Sequence, residues 1–290
     1  MKTSIPSNEL MSSGHLACQG CGATLSMRYA LKGLGANTVI VIPACCWTIL
    51  AGPAPLSSLG LPVLHSPFAS AAAAACGVKA GLRSRGDVET QVVAWAGDGG
   101  TFDIGLQALS GVADRNEDIL YVCYDNEAYM NTGVQRSGGT PQGAWTMSTP
   151  GASGSTRPKK DLDAIILAHH PVYFATATPA YAEDMVLKFT KARAIKGFRF
   201  IHILSPCPPG WKSDPKDSAR LSRLAVQTGL LRLYEVEDGR MRLNMPLSKR
   251  KPVEDFLRAQ GRYKGMGTAQ IADLQRRVDE AWGKDPESEP

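Results

Sequence analysis

"VVAWAGDGGTFDIGLQAL", residues 92–109, opens as an apolar run and closes with the spacing of an amphipathic helix, with Gly97-Asp98-Gly99-Gly100 at the junction. Such a run, bounded by glycine, reads as a strand buried on both faces. A strand that passes directly into a helix is half of a parallel crossover unit, and its junction lies where open parallel sheets bind ligands. Glycines there let the backbone approach a diphosphate. The amino terminus of the helix favours negative charge, and Asp98 offers a hard oxygen for an accompanying Mg²⁺.

Further apolar, β-branched runs over 38–42, 119–124, 172–176 and 198–204, with a shorter one near 62–64, predict companion strands. Helical spacing over 23–34, 68–82, 102–113 and 181–194 falls between them. Strand and helix alternate, which predicts an α/β fold with a doubly wound, mostly parallel sheet. Beyond Trp211 the pattern changes to a helix over 219–228, a hairpin turning at Asp238-Gly239 and a last helix over 267–282. The expected organisation is a binding domain over 1–211 and a C-terminal extension over 212–290, an arm for subunit contact with a disordered acidic, proline-containing end. Residues 130–160 are rich in Gly, Ser, Thr and Pro and too many for a plain connection, so they are expected to be functional or disordered.

The net charge of +5 comes from scattered residues, which argues against nucleic acid as a partner. No apolar run is long enough for a bilayer and no leader pattern precedes the first helix, so no membrane is expected and the protein is placed in the cytoplasm. In that reducing setting the seven cysteines are expected to bind metal, do redox chemistry or pack, not to form structural disulfides. Cys18 and Cys21 in "ACQGCGATLSMRYAL" (17–31) share a spacing used by zinc sites, redox disulfides and metal clusters alike.

The next strand, "ILYVCYDNEAYMNTG" (119–133), delivers Asn126 at its own carboxyl end, between the carboxylates Asp125 and Glu127. Gly-Asp-Gly followed by such an Asn turn resembles the thiamine diphosphate-dependent enzymes. The resemblance implies a cofactor site at Gly97, Asp98, Gly99, Gly100, Asn126 and Ala128, with Mg²⁺ held by Asp98, Asn126 and the Ala128 carbonyl.

The longer stretch "GDGGTFDIGLQALSGVADRNEDILYVCYDNEAYMNTGVQRSGGTP" (97–141), together with "GHLACQGCGA" (14–23), resembles the β subunit of the 2-oxoacid:ferredoxin oxidoreductases, over about 14–211. That family implies a 4Fe-4S cluster on Cys18, Cys21, Cys46 and, in "SPCPPGW" (205–211), Cys207. Cys45 is then a packed neighbour and Cys76 and Cys123 are core residues, while zinc on the same four thiols is the competing occupant. Asn131 and Thr132 in "YMNTGVQRSGGTP" (129–141) match positions near the substrate, although bonds within the loop are their ordinary fate.

The activity implied is oxidative decarboxylation of a 2-oxoacid, pyruvate first, to acyl-coenzyme A and CO₂, with electrons leaving through the cluster to ferredoxin. Branched-chain and aryl 2-oxoacids and oxalate are the other substrates of that kind. A non-redox thiamine diphosphate decarboxylase or synthase subunit with structural zinc, or a zinc scaffold, are readings of other classes. No acidic residue matches the glutamate that activates thiamine, so an α subunit carrying the pyrimidine-binding domain is expected to supply it. A γ or ferredoxin-like δ subunit is expected to carry the electrons onward.

Overall fold

The computed structural model describes residues 5–151 and 153–283, so the expected disordered end lies outside the described residues. Six parallel strands form the body of one sheet: β1 Thr38–Pro43, β2 Val63–Ser66, β3 Gln91–Gly97, β4 Leu120–Asp125, β5 Tyr173–Ala177 and β6 Arg199–Leu204. Two antiparallel strands, β7 Tyr234–Glu237 and β8 Arg240–Leu243, extend it to the order β2-β1-β3-β4-β6-β5-β7-β8.

β3 and β4 occupy the middle and are buried along their whole length, as the unbroken apolar runs require. Alternate side chains serve opposite layers. Val93, Trp95, Leu120, Val122 and Tyr124 face one core, and Val92, Ala94, Ala96, Tyr121 and Cys123 face the other. The first core is covered by α1 Gly22–Leu34 and α6 Ala182–Ala194, the second by α3 Ala71–Ser84 and α4 Leu106–Asp114. In α1 the residues Ala23, Met27, Ala30, Leu31 and Leu34 recur at helical spacing, and all five are buried. Gly33 permits the close approach of α6: a Cβ at that position would lie 2.7 Å from the Phe189 Cβ.

The chain runs outward from β1 to β2, then returns to β3 and β4 on the other side, so the order reverses between β1 and β3. Such a reversal opens a crevice at the carboxyl ends of the strands. Asp98 and the short helix α2 Cys46–Leu50 both lie there.

Two helical boundaries depart from expectation. The helix expected over 102–113 is split into a π-type turn, Gly99–Ile104, and α4, with the Gly105 N–H donating to the Gly100 carbonyl at 3.0 Å. Apolar periodicity reports which face is buried and is blind to one wide turn of backbone. The helix expected over 68–82 begins at Ala71, after a turn in which the Ser70 N–H donates to the Pro67 carbonyl.

The described residues of 130–160 are packed and not loose: Ser137, Thr140, Ala144, Thr146 and Ser155 are all buried. The described residues of the C-terminal segment, 212–283, are likewise built into the molecule instead of standing beside it. Its hairpin, turning at Asp238-Gly239 as expected, pairs with β5 in the main sheet. The remaining helices are α5 Leu162–Leu167, α7 Pro208–Trp211, α8 Ser218–Gln227, α9 Val253–Arg258 and α10 Thr268–Gly283. The last three close a third core around Trp211 and Leu204. Among the described residues no helix is long and apolar enough to cross a membrane.

Candidate active site

The register of β3 on β4 pairs Gly97 with Tyr124, so both strands end together and place Asp98 beside the turn Asn126–Ala128. One end of the Asn126 amide lies 2.9 Å from the Ala128 carbonyl oxygen and 3.0 Å from Asp98 Oδ1. With the amide oxygen there, three oxygens face one another with no proton between them. Mg²⁺ binds oxygen at about 2.0–2.1 Å in octahedral geometry, which puts neighbouring ligand oxygens roughly 2.9 Å apart. The spacing fits a hard divalent cation. In its absence the amide can turn its nitrogen inward and donate to both oxygens.

Asp98 is buried, and burial, then the neighbouring Asp125 carboxylate, pushes its carboxyl well above the usual carboxylate range. The Ser137 hydroxyl donates to Asp98 Oδ2. A divalent cation would displace the carboxyl proton and offset the burial of the charge. Above these oxygens is a cavity of about 180 Å³ lined by Gly97–Gly100, Phe68, Tyr129, Asn131 and Thr132. Gly99 is obligatory at its edge: a Cβ there would lie 2.2 Å from a ring carbon of Tyr129.

Beneath the turn is a network of buried charges that sequence reasoning missed. Glu127 takes a left-handed φ of 70° and donates its N–H to Asp125 Oδ1 at 2.9 Å. Lys159 pairs with Asp125 and, at 3.0 Å, with Glu127, whose other oxygen accepts from Arg262 at 2.5 Å. His202 bridges Asp125 at 3.1 Å and Asp163 at 2.6 Å. Burial alone would raise the Asp125 carboxyl, but Lys159 and then His202 hold it at about 2. Asp125 and Glu127 are therefore committed to these cations, which leaves Asn126 as the side chain of the turn that faces Asp98. Asp125 and Glu127 were visible in "YDNEA", but Arg262 stands 135 residues from Glu127 and no local pattern marks it.

The four cysteines expected as a set, Cys18, Cys21, Cys46 and Cys207, line one cavity of about 290 Å³. Their loops are bonded together, with the Gly22 N–H donating to the Pro206 carbonyl at 2.9 Å and the Cys21 N–H to the Cys18 carbonyl at 3.2 Å. Cys45 turns the other way, caps α2 and exchanges hydrogen bonds with Thr48, while Cys46 faces the cavity. Cys123 is buried, and Cys76 packs on the second core. Burial, then Cys207, Cys45 and Cys21, pushes the Cys46 thiol up to about 12, and burial does the same to Cys207. Thiols in this setting ionise only with a compensating positive centre, such as iron or zinc. All seven cysteines are free thiols. Among the described residues no three His, Cys, Asp or Glu side chains have closed to metal-ligand spacing.

The two cavities share Cys46, Asn126, Met130 and Asn131. Asn131 lines both, whereas the Thr132 hydroxyl is engaged inside its own loop, by Gln135 Oε1 at 2.5 Å and the Tyr129 carbonyl at 3.3 Å. A cavity of about 550 Å³ lies against the extension; its charged lining includes Asp125, Glu127, Lys159, Asp163 and His202 of the network already described, together with Lys160, Asp161, Arg232 and Arg277.

Residues 47–203 match the family described as thiamine pyrophosphate enzyme, C-terminal TPP binding domain. Ketoisovalerate oxidoreductase subunit VorB of Pyrococcus horikoshii is 48% identical, over 97% of this chain and 94% of its own length. Pyruvate synthase subunit PorB of Methanothermobacter marburgensis is 49% identical, over 95% of this chain and 96% of its own. The chain belongs to the β subunits of the thiamine diphosphate-dependent 2-oxoacid:ferredoxin oxidoreductases. As a β subunit it is one member of a hetero-oligomeric enzyme, and its cofactor is thiamine diphosphate. A 2-oxoglutarate:ferredoxin oxidoreductase from Magnetococcus marinus, solved with 2-oxoglutarate, coenzyme A and succinyl-CoA bound, shares the fold of this β subunit. It does so with a TM-score of 0.60 at 21% identity, over 99% of this chain and 93% of the other. The matched segment 47–203 contains Asp98 and Asn126, while all four cysteines and the C-terminal extension fall outside it.

Proposed function

We propose that this β subunit holds the Mg²⁺ and diphosphate of thiamine diphosphate at Asp98, Asn126 and the Ala128 carbonyl, with a 4Fe-4S cluster on Cys18, Cys21, Cys46 and Cys207, and that pyruvate is the substrate. One observation carries the reading. The cavity bounded by three convergent oxygens and the cavity bounded by four thiols share a wall at Asn126, Met130 and Asn131. A thiamine cofactor held in the first and an iron-sulfur cluster held in the second would therefore be neighbours, with these side chains between them.

Thiamine diphosphate supplies a carbanion-forming carbon, and an iron-sulfur cluster accepts electrons singly. The task of the chain is to position them. The backbone of Gly97–Gly100 cradles the diphosphate, and the buried Asp98 carboxylate orients its cation. Asn131 presents an amide to the 2-oxoacid, while Thr132 orders the loop behind it. Among the described residues Asp98 is the one acidic residue lining the 180 Å³ cavity, and it belongs to the oxygen set. The activating glutamate is accordingly assigned to an α subunit that closes the site. A γ or δ subunit and ferredoxin take the electrons, and coenzyme A takes the acyl group.

The two relatives, named for ketoisovalerate and for pyruvate, stand at 48% and 49% identity, so a branched-chain 2-oxoacid is the second reading. The deciding experiment is anaerobic purification with native partners, then metal analysis and a visible spectrum before and after each acid, with and without coenzyme A. Iron and a brown absorbance bleached by pyruvate support the proposal. Bleaching by 2-oxoisovalerate alone transfers it to the second reading. Zinc without colour removes the cluster.

A further inference from the structure

The turn that carries Asn126 and Ala128 is not self-supporting. Glu127 sits in a left-handed conformation at φ 70°, which a side chain of its kind rarely adopts, and its carboxylate is buried. This reversal lets the Asn126 side chain and the Ala128 carbonyl point to the same spot beside Asp98. The Glu127 N–H bond to Asp125, the Thr140 hydroxyl on the Glu127 carbonyl at 2.8 Å and Lys159 on Glu127 Oε1 at 3.0 Å hold it in part, and Glu127 Oε2 and the Asn126 carbonyl are left to other partners.

Arg262 reaches this turn by two routes. Its guanidinium donates to Glu127 Oε2, and its central carbon lies over the Trp211 ring, 4.0 Å from the ring centre, while the Trp211 Nε1–H donates to the Asn126 carbonyl at 2.8 Å. The arginine is itself fixed. It is buried, its Nε donates to Gln260 Oε1 at 2.9 Å, and its carbonyl accepts from the Trp145 N–H at 2.8 Å. Trp211 ends the short helix α7 that Cys207 caps, so the same contacts reach the cysteine loop.

We infer that Arg262, on the C-terminal extension, is a positioning residue for the cofactor metal, locking the turn through Glu127 and Trp211 so that the Asn126 and Ala128 oxygens stay aimed at Asp98. The inference rests on the function proposed above. A guanidinium is suited to the place because one of its nitrogens pairs with the Glu127 carboxylate and another bonds Gln260 while the cation lies over the indole, a combination that a single ammonium cannot match. Partners of this kind, one step removed from the ligands, typically change metal affinity by roughly 10- to 100-fold when lost.

The test uses the purified complex, stripped of metal and titrated with Mn²⁺ in the presence of thiamine diphosphate, free Mn²⁺ being read by electron paramagnetic resonance. Arg262→Met is expected to weaken Mn²⁺ binding roughly 10- to 100-fold, and Arg262→Lys to restore part of the loss. Trp282→Ala is the control for plain destabilisation, since Trp282 is buried in the extension and bonds Gly229, away from the turn. It is expected to lower the thermal midpoint and leave Mn²⁺ affinity unchanged. Should Arg262→Met not fold, Arg262→Lys alone decides. Wild-type affinity in either Arg262 variant, or an equal loss in Trp282→Ala, overturns the inference. A wild-type complex that takes up no Mn²⁺ with thiamine diphosphate overturns the proposed function, and the inference with it.

Discussion

Asp98 shows how one buried carboxyl prepares a site. Burial and the nearby Asp125 make its charge costly, so the residue is primed to exchange a proton for a metal ion. Asp98→Asn is expected to lower Mg²⁺-dependent thiamine diphosphate retention by roughly 100-fold or more while leaving the thermal midpoint of the metal-free chain unchanged or higher. Equilibrium dialysis and a melting curve measure both, and unchanged retention would refute the ligand assignment. His202 makes a separate statement about pH. Burial would lower its pKa, but Asp163 and then Asp125 raise it from 6.5 to about 9. A raised histidine stabilises the fold fully below its unfolded value and loses that contribution as pH climbs through the folded one. The wild-type melting temperature should therefore fall more steeply between pH 6.5 and 9 than that of His202→Gln. Parallel profiles would show that the His202 bridge contributes nothing. Asp98 and Asn126 were legible in the sequence because each follows the carboxyl end of a buried strand, Asp98 among glycines and Asn126 in the turn after the next strand. His202 was not, because one histidine inside an apolar strand carries no mark of the two carboxylates that flank it in space.

Elements were legible in proportion to how completely they are buried. β3 and β4, covered on both faces, stand out as unbroken apolar runs, whereas β2, at the edge and with Leu64 and His65 exposed, gave a weaker and shorter signal. The split between the Gly99–Ile104 turn and α4 left no trace in periodicity, since both halves bury the same face. Packing between elements adds a constraint that a single helix does not display. Gly33 meets α6 so closely that a Cβ would press on the Phe189 Cβ and the Val186 carbonyl, each 2.7 Å away. Gly33→Ala is expected to destabilise the chain by about 1–3 kcal/mol through this overpacking, with Mn²⁺ affinity retained. Denaturant melts of the two proteins would measure it. A neutral or stabilising effect would mean that α1 and α6 can shift apart without loss.

At the scale of the whole molecule, the extension is part of the enzyme's frame. A chain ending at Trp211 loses β7 and β8 from the sheet, the partners of Leu204 and Trp211 in the third core, and Arg262 beneath the metal turn. It is expected to lack a cooperative thermal transition and the near-ultraviolet signal of packed aromatic rings, with no Mg²⁺-dependent cofactor binding. A truncated chain that melts cooperatively and binds the cofactor would return the extension to the status of an arm. The amino-acid sequence by itself determined the alternation of strands and helices, the Gly-Asp-Gly junction with its Asn turn, and the close pairing of Cys18 with Cys21, because these are local patterns of burial, backbone need and spacing. Only the tertiary structure decided that Cys46 lines both cavities whereas Cys45 lines only the one beside Asp98, that the described parts of 130–160 pack, and that Glu127 is held by cations from Lys159 and Arg262. The physical reason is distance along the chain. A buried charge needs a partner in space, and where that partner comes from is settled only when the sheet, the loop and the extension have closed on one another.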